Sequence, residues 1–390
     1  MRELDKALAA INKDAGAEII KQGTEIIYVD KIPFSSPTMN YMTYGGVPIG
    51  KVTEFFGGEN GGKTTTALDI VANAQQLFEE EFEFKCDELE KAIDKLGDSK
   101  SNAKAKANKI KELEDLRDKG PKAVVYIDLE NTLDVEWARL LGVDTELMYL
   151  LRPENQTAEQ VLQYTIDLMK TGEVGLVVLD SIPCLIPQQV FEEDLEKKSY
   201  GGVSKVLTDF SNRIPPIVAK HHITFIGINQ VREDLNSTYA HEVTPGGRAW
   251  KHLCSLRLKF KKGDNLDANN TEIPRNSENP AGNKVQAEIV KTKVCRPNRR
   301  LGYYTLNYID GIDVLYDTIQ MGIRYNFILK SGAWFNLCDP DTGEILTDED
   351  GAEIKLQGRS KLIQYLNDNP DVYEDLYCRI DEKLHDDSIR

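Results

Sequence analysis

The sequence predicts an α/β fold, a mainly parallel twisted sheet between helices, built around a phosphate-binding loop. Two observations lead there. Residues Gly57 to Thr64 read G-G-E-N-G-G-K-T, a match to GxxxxGK[ST] lying between a strand-like run, Val52 to Phe56, and a helical apolar pattern at Ala67, Leu68, Val71 and Ala74. Downstream, the apolar runs 123–128, 174–180 and 223–229 alternate with helical segments around 136–142, 157–170 and 203–219. That alternation builds a parallel sheet covered on both faces.

The chain has 390 residues, room for two or three domains, and a formal net charge of −16. Such a charge argues against a nonspecific nucleic-acid coat working by bulk positive charge, though not against a local groove in a multimer. Six cysteines without CxxC spacing point to reduced thiols, and no charged leader or bilayer-length apolar run is seen. A cytoplasmic protein without a membrane partner is the expectation.

From the N-terminus, Leu4, Ala7, Leu8 and Ile11 predict an amphipathic helix and Thr24 to Val29 a strand. These two elements cannot bury their own apolar faces, so they dock either on a neighbouring subunit or on the home core. Pro33 to Pro37 marks a linker. The expected divisions are a docking segment at 1–35, a core at 36–311 built around the phosphate loop and a small α+β domain at 312–390.

In the loop, the backbone of Gly57, Gly58, Glu59, Asn60, Gly61 and Gly62 would wrap nucleotide phosphates, with Thr65 opening the helix behind it. Lys63 would lie against the β- and γ-phosphates and Thr64 would hold Mg²⁺. Residues 79–119 are highly charged and carry helical spacing on both sides of a break at 97–101, which predicts an inserted helical hairpin. Its acidic side (Asp87, Glu88, Glu90, Asp94) is expected to face Lys104, Lys106, Lys109 and Lys111. The hairpin is either a solvated arm or a partner contact.

Polar residues at the C-terminal ends of parallel strands point into the ligand crevice. Asp180 ends one strand and would hold a water on the metal bound by Thr64. Glu130 lies just past another strand end; it either activates the attacking water or caps the following helix. Gln230 ends a third strand and opens an aperiodic polar stretch. Its amide either contacts the γ-phosphate or is an ordinary strand-end residue. Beyond 256 the pattern shifts to strands at 256–261, 285–291 and 303–307, with a polar loop at 264–282. Helices at 314–321, 359–366 and 371–384 and a strand at 333–337 follow.

Several stretches together carry a family resemblance: G-G-V-P-I-G-K-V-T-E-F-F-G-G-E-N-G-G-K-T-T at 45–65, Y-I-D-L-E-N-T-L-D at 126–134, W-A-R-L-L-G-V-D at 137–144 and V-V-L-D-S at 177–181. F-I-G-I-N-Q-V-R at 225–232, P-G-G-R-A at 245–249, V-K-T-K at 290–293 and G-A-W-F at 332–335 continue the series in order. The chain resembles the bacterial RecA recombinase family over nearly its full length apart from 79–119, an insertion that marks a diverged branch.

The resemblance implies a DNA-dependent ATPase that forms a helical filament on single-stranded DNA and exchanges strands with a homologous duplex, using ATP and Mg²⁺. Recombination mediators or a single-strand-binding protein are implied as further partners. By position, Glu130 resembles the catalytic glutamate and Gln230 the amide linking the γ-phosphate to the second DNA loop. Trp137 falls where an aromatic stacks on adenine, and Asp134 where an Asp lies near the base. Lys291 and Lys293 match a lysine pair that reaches the ATP of the adjacent subunit; from the residues alone they are a solvated strand edge.

The two DNA loops would span about 191–201 and 231–247, with Tyr200 and Tyr239 as wedges between bases. Acidic residues in both loops shift the expected phosphate contacts to backbone at Gly201, Gly202, Gly246 and Gly247, aided by Lys205, Arg213, Arg232 and Arg248. Two rival readings use the same core: a ring helicase, and a nucleotide-gated DNA scaffold with little turnover.

Overall fold

The computed structural model describes residues 2–15, 29–97, 102–192, 202–233, 242–347 and 351–389. The strand expected over 24–29 apart from Val29, most of the first expected DNA loop and residues 234–241 of the second, among them Tyr200, Gly201 and Tyr239, lie outside these residues.

Among the described residues the central sheet has ten strands. Nine are labelled here: β1 (Val52–Gly57), β2 (Ala123–Asp128), β3 (Met148–Leu151), β4 (Val174–Asp180), β5 (Thr224–Gln230), β6 (Leu256–Leu266), β7 (Gly282–Thr292), β8 (Leu301–Asn307) and β9 (Gly311–Ile312). Their spatial order is β9-β8-β7-β6-β1-β5-β4-β2-β3, and the short strand Glu272–Ile273 pairs with β6. Neighbours from β6 to β3 are parallel, whereas β7, β8 and β9 run antiparallel. All seven residues of β4 are buried, as a strand covered on both faces must be. Alternation divides the core: Val124 and Tyr126 join the cluster on one face, Val125 and Ile127 the cluster on the other. The expected α/β class is therefore present.

Four helices come early in the chain: α1 (Glu3–Ala15), α2 (Pro37–Thr43), α3 (Lys63–Leu96) and α4 (Ala103–Lys119). Ser36 caps α2 by accepting the Met39 amide, and Pro37 fills the first turn, where no donor is needed. Leu4 and Ile11 of α1 are exposed, so its apolar stripe is not covered by the home core.

The inserted hairpin does not begin with a new helix. α3 runs unbroken for 34 residues from the phosphate loop into the arm, because no Gly or Pro interrupts it before Gly97. Its first half buries Ala67, Leu68, Ile70, Val71 and Ala74 under the sheet, whereas among the described residues the arm buries only Cys86 and, from α4, Leu113. The expected facing of acidic against basic sides holds in part: Glu90 pairs across the arm, though with Arg117 and not with one of the expected lysines, whereas Lys109 binds Glu112 of its own helix at 2.7 Å. Pairs at i, i+3 satisfy these charges locally.

The helix expected over 203–219 divides into Gly202–Arg213 and Pro215–His221, since Pro215 and Pro216 donate no amide hydrogen. β6 and β7 extend further into the polar 264–282 stretch than its composition indicated, pairing there from Asn265↔Asn283 to Leu266↔Gly282. At the C-terminal end, the three-stranded sheet of Ile328–Ser331, Trp334–Leu337 and Lys355–Gln357 packs with helices Val314–Arg324, Arg359–Asp368 and Pro370–Ile389 around a separate apolar cluster.

Candidate active site

The loop after β1 lies against β6. A Cβ on Gly57 would fall 2.1 Å from the Phe260 carbonyl oxygen, so only glycine fits there. Gly62, at φ 89°, turns the chain into α3, and a Cβ on it would meet the Tyr304 hydroxyl at 2.9 Å. That hydroxyl lies 2.8 Å from Thr66 Oγ1 and fixes the first turn of the helix. Lys63 folds over the loop and donates to the Gly58 carbonyl at 2.6 Å. Burial lowers its pKa, opposed by the carboxylates of Asp180, Glu130 and Glu59.

β4 delivers Asp180 beside this turn. Its Oδ2 accepts from Thr64 Oγ1 at 2.9 Å and from Tyr126 at 2.8 Å. Burial pushes the carboxyl up to about 6, against the two hydroxyl hydrogen bonds. The Thr64 hydroxyl and Asp180 carboxylate are hard oxygen donors in contact, a set that suits Mg²⁺.

Beyond β2, Asp128 shapes the loop that carries Glu130. It accepts the Thr132 and Leu133 amides at 3.2 Å each and pairs with Arg152 at 3.0 Å. Asp134, not Glu130, caps the next helix, accepting the Glu136 and Trp137 amides. Glu130 is therefore free for the crevice. Its Oε1 accepts from Ser181, from Cys184 Sγ at 3.8 Å and from Gln230 Nε2 at 3.5 Å. Its Oε2 has no partner among the described residues.

Gln230 continues inward through Asn229, whose Oδ1 accepts the Gln230 amide at 3.0 Å. Asn229 Nδ2 donates to Pro245 O at 2.9 Å and to Glu54 Oε1 at 2.7 Å. Fully buried Glu54 also accepts from Trp250 Nε1 at 3.0 Å and binds Arg257. Arg257 in turn donates to Thr244 at 3.1 Å. A continuous polar chain thus joins Glu130 to the stem of the second loop, where Arg232–Glu233 and Glu242–Val243 pair antiparallel.

Lys291 and Lys293 are not near this site within the chain. Lys291 pairs with Arg257, which lies beside Glu54 at the third residue of β1. The Lys293 amide bonds Ser255 O, and the Ser255 amide bonds Val52 O at the first residue of that strand. They stand roughly 10–16 Å behind Gly57 along the strand direction. Their ammonium groups hold the last carbonyls of helix Gly247–Leu253: Lys291 those of Lys251 and His252, and Lys293 that of His252 at 2.7 Å.

Among the DNA-loop residues, Gly202, Arg232 and Gly246 line one groove of about 360 Å³ between the two loop stems. Lys205 and Arg248 are exposed nearby on the helices that follow. Gly247 follows the Gly246 cap and begins its helix. Arg213 is not brought there: it ends helix Gly202–Arg213 and donates to Gln163 at 3.0 Å. Trp137 is half-buried and packed against the core, and Asp134 is exposed apart from its cap contacts. The residues that sequence reasoning passed over are Tyr126, Ser181, Cys184, Glu54 and Tyr304. Two carried a signal: Tyr126 alternates with Asp128, and Glu54 is a lone charge inside an apolar strand.

The RecA N-terminal domain family model matches residues 2–95 and 108–313, and the RecA C-terminal domain model matches 317–385. The chain belongs to the RecA family. It is 29% identical to Protein RecA of Kineococcus radiotolerans over 98% of this chain and 92% of that protein. It is 28% identical to Protein RecA of Thermus aquaticus over 98% of this chain and 94% of the other. Among the described residues no helix is long and apolar enough to cross a membrane.

Proposed function

We propose that this chain is an ATP-dependent recombinase that assembles as a helical filament on single-stranded DNA and pairs that strand with a homologous duplex. The observation that carries the reading is the polar chain from Glu130 through Gln230, Asn229 and Glu54 to the second-loop stem. Nucleotide state and DNA-loop position share one hydrogen-bonded unit.

Within it, the loop amides and Lys63 bind the phosphates of ATP, and Thr64 and Asp180 hold Mg²⁺, which supplies charge neutralisation on the phosphate oxygens. Ser181 fixes Glu130 through Oε1, leaving Oε2 to accept a proton from the attacking water. Gln230 turns from Glu130 to the γ-phosphate. Trp137 and Asp134 flank the base.

The site is completed by a second subunit. Lys291 and Lys293 cannot serve their own phosphate loop from the far end of the sheet, but a head-to-tail neighbour can present them. There they act on the transferred phosphoryl as a finger in trans. The uncovered stripe of α1 and the exposed Leu147 and Tyr149 at edge strand β3 fit the same head-to-tail packing. The domain division at 35 and 311 belongs to this reading, as do the loop contacts of Arg232, Gly246 and Arg248 with DNA.

Purified chain, single-stranded circles and homologous linear duplex test it. Joint molecules that require ATP and homology are the expected result. A discrete hexamer that unwinds duplex without pairing would contradict it.

A further inference from the structure

The arm formed by the second half of α3 and by α4 is a two-helix hairpin, and two helices cannot enclose their own contact stripe. A groove of about 1060 Å³ runs between them, its floor containing Leu89, Ala92 and Leu116, each only half-buried. Its rims carry Lys91, Lys95, Lys111 and Lys119, all exposed and none with an acidic partner among the described residues. Lys85 and Lys109 also line it but are engaged by Glu81 and Glu112. In a chain of net charge −16 this is a local concentration of unpaired cations.

We propose that the groove receives an amphipathic helix with acidic flanks from a partner protein, completing a three-helix bundle. The apolar floor matches a stripe at i, i+3, i+4 and i+7, and the lysine rims match carboxylates on either side of it. From Lys85 to Lys95 the groove accommodates about three helical turns, or ~15 Å. Glu88, Glu112 and Asp115 also line the groove, Glu112 held by Lys109; a nucleic-acid backbone suits it less well, because phosphates gain nothing from the apolar floor of Leu89, Ala92 and Leu116. The arm also leaves the core at the end of the sheet opposite the loop stems. α3 begins beside the C-terminal end of β1, and the base of the arm is near Lys122, ahead of β2.

The test is anisotropy of a labelled 14-residue helical peptide with a leucine stripe and glutamate flanks, titrated with the full chain. A scrambled peptide of equal composition and a 20-base-pair duplex are the comparisons. The striped peptide should bind and the scrambled one should bind at least tenfold more weakly. The variant Lys91→Glu, Lys95→Glu, Lys111→Glu, Lys119→Glu should lose tenfold or more for the striped peptide while keeping DNA-stimulated ATPase. Helicity by circular dichroism confirms that the variant arm is folded; if it is not, Lys91→Gln with Lys95→Gln should still lose about threefold. Equal binding of both peptides, or unchanged binding by the variants, overturns the proposal. Loss of duplex affinity in the variant with no peptide binding would make the arm a nucleic-acid contact instead.

Discussion

The two ends of the parallel sheet differ in how far a single chain finishes them. At the C-terminal end of β1, β2, β4 and β5, buried carboxylates, hydroxyls and the loop lysine converge and hold one another. Asp180 is 6% exposed, Lys63 9%. At the N-terminal end, half-buried Lys291 and exposed Lys293 donate to helix carbonyls and have no acidic partner among the described residues. Those contacts are favourable at a helix C-terminus, worth a fraction of a kcal/mol to about 1 kcal/mol each. Phosphate oxygens form stronger, charge-assisted bonds with the same ammonium groups. One end is preorganised; at the other, the proposed filament would have a neighbour's nucleotide recruit the two cations.

The largest effect is expected from Glu130→Gln at the finished end. Turnover should fall by about 10²–10⁴, the range for a lost general base, while nucleotide binding measured by fluorescence titration is retained. Retained turnover would remove Glu130 from the chemistry. At the unfinished end, Lys291→Ala with Lys293→Ala should lower DNA-stimulated turnover by about 10², with little change in the nucleotide affinity of unassembled protein. An equal loss of that affinity would place the lysines in their own subunit's site.

A smaller change separates holding from reacting. Ser181→Ala should reduce kcat about fivefold with KM unaltered, because Glu130 stays but loses its strongest tether; Ser181→Thr should recover most of it. Between the two ends, fully buried Asp69 on α3 accepts the Ser35 amide at 3.1 Å, and burial raises its carboxyl to about 6. The folded chain then keeps this proton where the unfolded chain, near 3.8, has released it. Stability therefore falls as pH rises from about 4 to 6, by on the order of 3 kcal/mol for this group. Asp69→Asn should flatten that part of the melting-temperature profile, and an unchanged slope would assign it to other groups.

The finished end was largely legible in the sequence because its parts are local. The phosphate loop, the strand-end Asp180 and Glu130 each follow from a short run read against strand and helix periodicity. Cross-strand partners were not legible: Ser181 reaches Glu130, and Tyr304 reaches Gly62, only through pairings that no local pattern encodes. At the unfinished end the role proposed for Lys291 and Lys293 rests on resemblance, since Lys291-Thr-Lys293 has the composition of any solvated strand edge. The arm shows the limit of charge patterning. Its helices were foreseen, but its ion pairs follow local spacing along each helix as well as helix-to-helix facing. Edge strand β3 went unread because exposed Tyr149 and Leu150 break the inside–outside alternation.

The central claim is that hydrolysis needs one subunit's phosphate loop and the next subunit's lysines. Mixing Lys63→Ala protein, which keeps the lysines, with the Lys291→Ala, Lys293→Ala double variant, which keeps the loop, tests it directly. In a randomly mixed 1:1 filament about a quarter of the interfaces join an intact loop to intact lysines. DNA-stimulated ATPase should therefore rise to about a quarter of the wild-type rate although each variant alone is nearly inactive. A mixture no more active than the sum of its parts would contradict a site shared between subunits.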